Sequence, residues 1–301
     1  KAESEVFSLT QKHTSRAFTA VRDALAESFD RLDELHKQEG GIRGIPTGFK
    51  DIDDTLAGLQ KSNLVILASR PGVGKTSLAL NIAQNISLKF GRCVGFFSLE
   101  MSKEELVDRL LVAQADIDAW KLKTGKLSEE DFTKLSNAMG ELAEAPIYID
   151  DTPASTILEM RSKARRLQVE KGLDLLVVDY LQLARSRQLE NRVQEVSEIS
   201  QGLKNLAREL KIPVLALSQL SRAVEQRGGQ KRPQLADLRE SGSIEQDADV
   251  VMFIWREDEE NVENIVLDVA KHRNGPLRSI KLRFRGDRIK FYGVETKRGG
   301  E

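Results

Sequence analysis

Apolar positions fall into two kinds of pattern along this chain. Between residues 13 and 38, Phe18, Val21, Leu25, Phe29, Leu32 and Leu35 recur every three or four positions, which lines them along one face of a helix. A stripe of that kind must be buried, either on the chain's own domain or on another body. Gly40, Gly41, Gly44 and Pro46 then interrupt any regular structure. The pattern predicts a linker region with an amphipathic helix over residues 1–40 and a main domain over 41–301.

From Leu64 onward the pattern changes to short runs that are apolar throughout: residues 64–69, 94–99, 147–150, 175–179, 214–218 and 250–255. Runs without alternation suit strands buried on both faces, which is the condition of a parallel sheet covered by helices. Val193, Val196, Ile199, Leu203, Leu206 and Leu210 mark one such helix. Residues 265–272, 280–284 and 288–292 predict antiparallel strands, with turns at Asn274, Gly275, Pro276 and at Gly286, Asp287. The fold class is α/β: a mostly parallel central sheet flanked by helices, with a C-terminal antiparallel extension.

Composition narrows the setting. Of 301 residues, 40% are hydrophobic, enough for a substantial core. No apolar run approaches the roughly 20 residues that span a bilayer, and Lys1, Ala2, Glu3 and Ser4 do not begin a secretion signal, so a cytosolic protein without a membrane is expected. A start at Lys1 suits a piece of a longer protein. The single cysteine, Cys93, sits in an apolar stretch and is expected to be a buried hydrophobe. A net charge of −1 gives no global sign of nucleic-acid binding, so any such contact must be local.

The strongest chemical signal is Ser69-Arg70-Pro71-Gly72-Val73-Gly74-Lys75-Thr76-Ser77, placed between a strand and a helix. Glycines there let backbone N–H groups converge on phosphate oxygens, and the helix N-terminus adds partial positive charge. Lys75 then reaches the β- and γ-phosphates of ATP, and Thr76 ligates Mg²⁺. Ser69 occupies the position where the strict pattern has Gly. Asp179 ends an apolar strand and is the expected partner of Thr76 at the metal, because a carboxylate at a strand's carboxyl end opens onto the ligand crevice of an α/β sheet. Glu100, just past residues 94–99, is the expected base for the attacking water. Gln219, after 214–218, carries an amide able to donate to a γ-phosphate oxygen.

Taken in order, Thr47-Gly48-Phe49 with Asp53 and Gly58-Leu59, the phosphate loop, Phe97-Ser98-Leu99-Glu100-Met101-Ser102, Val178-Asp179-Tyr180-Leu181-Gln182-Leu183, Leu217-Ser218-Gln219-Leu220-Ser221-Arg222 and the segment from Asp237 to Asp249 resemble the helicase motifs of DnaB-type replicative DNA helicases. The resemblance covers nearly the whole chain, and Arg239-Glu240-Ser241-Gly242-Ser243-Ile244-Glu245-Gln246-Asp247-Ala248-Asp249 is its most specific part. It implies a RecA-like ATPase domain that translocates 5′ to 3′ at the replication fork, in a homo-hexameric ring around single-stranded DNA. ATP then lies between subunits, with Arg273 as an arginine finger and Lys271 as its cationic companion, both acting in trans. It also implies a DNA-gripping loop with Arg239, Glu240 and Gly242, a linker helix docked on an adjacent subunit, and meetings with primase and a helicase loader through the full-length protein. The stretch from Arg222 to Arg232 is expected to be a mobile basic loop. On the phosphate-site residues alone, a RecA-type recombinase, another RecA-fold ATPase or a nucleotide-switched binding module stays open.

Overall fold

The computed structural model describes residues 20–22, 25, 42–179, 181, 192–227, 231–258 and 260–294, the side chains of 192, 193, 226 and 239–243 excepted. The chain divides into two compact units, Lys1–Arg43 and Gly44–Glu301. In the first, Val21, Arg22 and Leu25 are helical, with exposed side chains. Phe18, Phe29, Leu32 and Leu35 lie outside the described residues.

The second unit is built on a sheet that, among the described residues, has nine strands. They are β1 (Leu64–Ser69), β2 (Cys93–Ser98), β3 (Ile147–Asp150), β4 (Leu173–Asp179), β5 (Val214–Gln219), β6 (Val250–Trp255), β7 (Asn264–His272), β8 (Arg278–Arg285) and β9 (Lys290–Gly293). Their order is β3-β2-β4-β5-β1-β6-β7-β8-β9. The first six are parallel to one another, and β7 to β9 add as antiparallel hairpins. Strand β9 starts at Lys290 rather than at residue 288. Gly286–Arg288 form a short 3₁₀ turn, and Ile289 takes a left-handed conformation (φ 52°) that ends the turn and delays the strand.

Continuous apolar runs are required because both faces of the parallel block are covered. Val65 and Leu67 of β1 enter one core with Leu78, Ile82 and Ile86 of the helix Lys75–Phe90, while Leu64, Ile66 and Ala68 enter the other with Ile199, Leu203 and Leu206. Helix starts are set by side chains that satisfy orphan N–H groups: Ser102 with Glu105, Ser128 with Asp131 and Thr156 with Glu159 form reciprocal capping boxes. Cys93 is buried, and loss of hydration pushes its thiol up to about 11, so it behaves as a small hydrophobe. Among the described residues no helix is long and apolar enough to cross a membrane.

The Thr47-Gly48-Phe49 and Asp53 pattern has a structural explanation. The buried Asp53 carboxylate accepts hydrogen bonds from Thr47 N (2.7 Å), Thr47 Oγ1 (2.8 Å) and Gly48 N (3.1 Å), which folds the chain back before the helix Lys50–Leu56. Asp53→Ala strands buried donors and is expected to lower the unfolding free energy by about 2–4 kcal/mol, read from urea denaturation.

Candidate active site

Parallel strands deliver their carboxyl ends to one edge, and four neighbours in the order β2-β4-β5-β1 each carry a polar residue there. Register makes the convergence explicit, since Ser98 pairs with Asp179 and Ser69 with Gln219. Between them lies a cleft of about 310 Å³ lined by the phosphate loop together with Glu100, Met101, Arg109, Gln219 and Phe284. Of the expected site residues, Ser69, Arg70, Pro71, Gly72, Gly74, Lys75, Thr76, Ser77, Glu100 and Gln219 line this cleft. Asp179 is fully buried behind the lining residues Thr76 and Lys75, which it contacts, and Val73 turns into the core.

The loop's shape rests on Gly72 (φ 76°) and Gly74 (φ 106°). A Cβ at Gly74 meets Phe291 Cζ at 3.0 Å, because the β8–β9 hairpin packs onto the loop through the stacked rings of Phe284 and Phe291, 4.4 Å apart. Arg256, at the exit of β6, donates to Gly72 O at 3.0 Å. Arg109 donates to Ser77 Oγ at 3.4 Å. The guanidinium of Arg70 donates to Leu220 O and Glu225 Oε1, both at 2.7 Å. Arg109, Arg256 and Phe284 were not singled out from sequence, because helix packing and strand order, rather than spacing, bring them to the loop.

Charge inside the cleft is concentrated and poorly hydrated. Thr76 Oγ1 donates to Asp179 Oδ2 at 2.6 Å, and Lys75 Nζ stands 3.7 Å from Asp179 Oδ1. Burial pushes the Asp179 carboxyl above the usual carboxylate range against the pull of Lys75 and Thr76, and burial likewise lowers Lys75 while Asp179 and Glu100 hold it up. Asp179 Oδ1 is buried and, among the described residues, accepts no hydrogen bond within ordinary distance, the Lys75 ammonium at 3.7 Å being its ion-pair partner. An oxygen left open beside a hydroxyl fits a hard divalent cation that takes its remaining ligands from phosphate and water. Among the described residues no group of three or more His, Cys, Asp or Glu forms a cage that holds a metal by itself. Glu100 is set by a tight turn: Ser98 Oγ donates to Met101 O (2.6 Å), Met101 N donates back to Ser98 Oγ (3.2 Å), and Leu99 N donates to Asp179 O (2.6 Å).

Lys271 and Arg273 lie elsewhere. Strand β7 runs antiparallel to β6, with His272 opposite Val250, so its end reaches the start of the parallel strands. Arg273 N donates to Asp249 O, and Asp249 N donates to Leu64 O, both at 2.9 Å. Arg273 Nη1 is 3.4 Å from Asp249 Oδ1, and Lys271 Nζ donates to Glu245 O. Five strand steps separate Leu64 from Ser69, roughly 17 Å. The arginine therefore cannot reach the phosphate loop of its own chain.

Arg239 and Glu240 belong to the 3₁₀ segment Leu235–Ser241, and Gly242 opens the helix Gly242–Asp247. Their side-chain positions lie outside what is described. The stretch after β5 differs from the expected mobile basic loop. It holds a short helix, Ala223–Gln226, while Arg227 pairs with Asp237 and Arg232 with Asp268. Both carboxylates are buried and require cationic partners, which fixes the stretch on either side of residues 228–230, themselves outside the described residues. The basic strands behave as surface: Arg283 pairs with Glu263, Arg285 with Asp287 and Arg288 with Asp116.

A family model for the DnaB-like helicase C-terminal domain matches residues 44–293. The chain is 50% identical over 304 residues to replicative DNA helicase DnaB of Geobacillus stearothermophilus, spanning 99% of this chain and 67% of that protein. It is 49% identical over 304 residues to replicative DNA helicase DnaC of Bacillus subtilis strain 168, with the same coverage. Among solved structures it is similar to the ATPase domain of G40P, with a TM-score of 0.87 and 37% identity over 93% of this chain and 100% of that one. A DnaB-like replicative helicase whose structure was described with its interactions with primase gives a TM-score of 0.83 at 37% identity, over 91% of this chain and 71% of that one.

Proposed function

We propose that this chain, which belongs to the DnaB-like helicase C-terminal domain family, is the ATP-hydrolysing motor of a replicative DNA helicase whose sites are completed by a neighbouring copy. The observation that carries the shared site is the placement of Arg273 at the opposite end of the sheet from Lys75. Backbone N–H groups of the phosphate loop cradle the nucleotide's phosphates, and Lys75 places its charge on the one being transferred. Glu100 orients the attacking water and takes its proton, while the Gln219 amide donates to a γ-phosphate oxygen. Thr76 and Asp179 would hold Mg²⁺, which would supply Lewis-acid neutralisation of phosphate charge when bound. Arg273 of the adjacent copy, accompanied by Lys271, meets the charge that develops on the phosphoryl oxygens.

A contact passed from copy to copy in one direction gives a ring where its rotation closes, here a homo-hexamer around single-stranded DNA. Residues 1–40 form the linker whose helix docks on the adjacent subunit, and 41–301 the motor. The segment with Arg239, Glu240 and Gly242 grips the strand. Enclosure explains why a chain of net charge −1 needs few basic contacts. Primase and a helicase loader are partners of the full-length protein.

Steady-state ATP hydrolysis, measured with and without single-stranded DNA across protein concentrations, tests the reading. Specific activity is expected to climb with concentration and to be stimulated by DNA. Turnover indifferent to both overturns shared sites and DNA alike, and favours an ATPase of related fold.

A further inference from the structure

The chain leaving β5 is tied to the phosphate loop in both directions. Leu220 N donates to Ser69 O at 3.0 Å, and Arg70 answers by donating to Leu220 O and to Glu225 Oε1. The residue after Leu220 makes the next connection, since Ser221 N donates to Asp237 O at 3.1 Å. Asp237 is only 4% exposed. Its carboxylate accepts from Arg227 Nη2 at 2.6 Å and from Gln234 N at 2.7 Å. Two paths from the post-β5 segment therefore end on one residue: a backbone path through Ser221 and a side-chain path from the helix Ala223–Gln226 through Arg227.

Asp237 lies at the start of the 3₁₀ segment Leu235–Ser241, which carries Arg239 and Glu240. The next residue, Leu238, departs from helix geometry (φ −78°, ψ 17°) and is buried in the core, so the segment kinks directly after Asp237. Gln219, which lines the cleft, stands immediately before Leu220. A displacement of Gln219 toward or away from a terminal phosphate is carried by Leu220 and Ser221 directly to Asp237. Arg70 carries loop movement to the same place through Glu225. Charge-assisted bonds on a buried carboxylate transmit such movement better than solvated contacts, because breaking them strands a charge away from water.

We propose that Asp237 is a positioning residue that couples the nucleotide cleft to the segment bearing Arg239, Glu240 and Gly242. This rests on the reading above that the segment grips single-stranded DNA. Coupling of this kind is reciprocal: nucleotide state sets DNA affinity, and DNA sets turnover.

The test uses the full-length assembled protein, a fluorescently labelled oligothymidine strand, and either a non-hydrolysable ATP analogue or ADP. The ratio of DNA affinities in the two nucleotide states is read by anisotropy, alongside turnover with and without DNA. Asp237→Asn keeps the backbone contact with Ser221 and removes the ion pair. It is expected to lower both the affinity ratio and the DNA stimulation about fivefold or more, with unstimulated turnover held within about twofold. Glu225→Gln, at an exposed position, is expected to move both in the same direction without disturbing the fold, and it carries the test if Asp237→Asn does not fold. Adding Arg227→Met to Asp237→Asn is expected to cost nothing more, because the two act as one pair. Variants that keep both the ratio and the stimulation overturn the coupling, as does a fall in unstimulated turnover in step with the stimulated rate. Wild-type protein with neither stimulation nor a nucleotide-dependent affinity overturns the DNA-gripping reading itself, and the coupling falls with it.

Discussion

Lys75→Ala is expected to reduce single-turnover hydrolysis by about 10²–10³-fold or more and to weaken nucleotide binding at the same time. Both losses follow from the position of the ammonium, which is nearly buried and stands 3.7 Å from Asp179 Oδ1. It is the ion-pair partner of the Asp179 carboxylate, which is fully buried. Removing Lys75 takes positive charge from the transferring phosphate and leaves Asp179 without its compensation. Burial already raises the Asp179 carboxyl, with Lys75 the largest influence opposing it, so the variant raises it further. An acid whose pKa is higher folded than unfolded favours the folded state below its unfolded value and loses that contribution as pH rises through the folded value. The variant's instability relative to wild type is therefore expected to be greatest near neutral pH and to shrink on acidification, read by thermal melting at several pH values. Wild-type turnover in Lys75→Ala would end the assignment of this cleft as the hydrolytic site.

How far the sequence speaks depends on whether a signal is local. The six parallel strands were legible because burial on both faces leaves unbroken apolar runs, and the polar residues at their ends were legible because Ser69 and Asp179 end such a run and Glu100 and Gln219 directly follow one. Strand order was not, and with it went Arg109, Arg256 and Phe284, which reach the loop from α-helix Lys103–Ala115, from β6 and from β8. The late start of β9 was hidden by one left-handed residue, Ile289, of a type that rarely adopts that conformation. The basic stretch after β5 reads from sequence as a mobile basic loop because its neutralising partners, Asp237 and Asp268, come later in the chain and are buried. Thr47 and Asp53 were picked out only as part of a resemblance. Three hydrogen bonds onto one buried carboxylate explain them as a turn rather than as chemistry.

Arg273→Ala is expected to leave nucleotide affinity within about threefold of wild type and to lower turnover by about 10³-fold or more. The separation of the two effects comes from geometry. Within one chain the arginine sits beside Asp249 and Leu64, roughly 17 Å of strand away from Ser69, so it contributes nothing to the cradle that holds the phosphates. Its side chain is 55% exposed and its contact with Asp249 is long, at 3.4 Å, which leaves it available to a neighbouring copy. A site assembled this way takes Glu100 from one subunit and Arg273 from the next. Mixing inactive Arg273→Ala subunits with inactive Glu100→Ala subunits should then restore hydrolysis. A complete site forms wherever an Arg273→Ala subunit supplies the cleft and a Glu100→Ala subunit supplies the finger, about a quarter of interfaces at equal mixing in a head-to-tail ring. The opposite order lacks both groups and stays silent. Mixtures that remain as inactive as their components, with exchange of subunits verified by a fluorescence label, would place the arginine's action within its own chain or outside the reaction altogether.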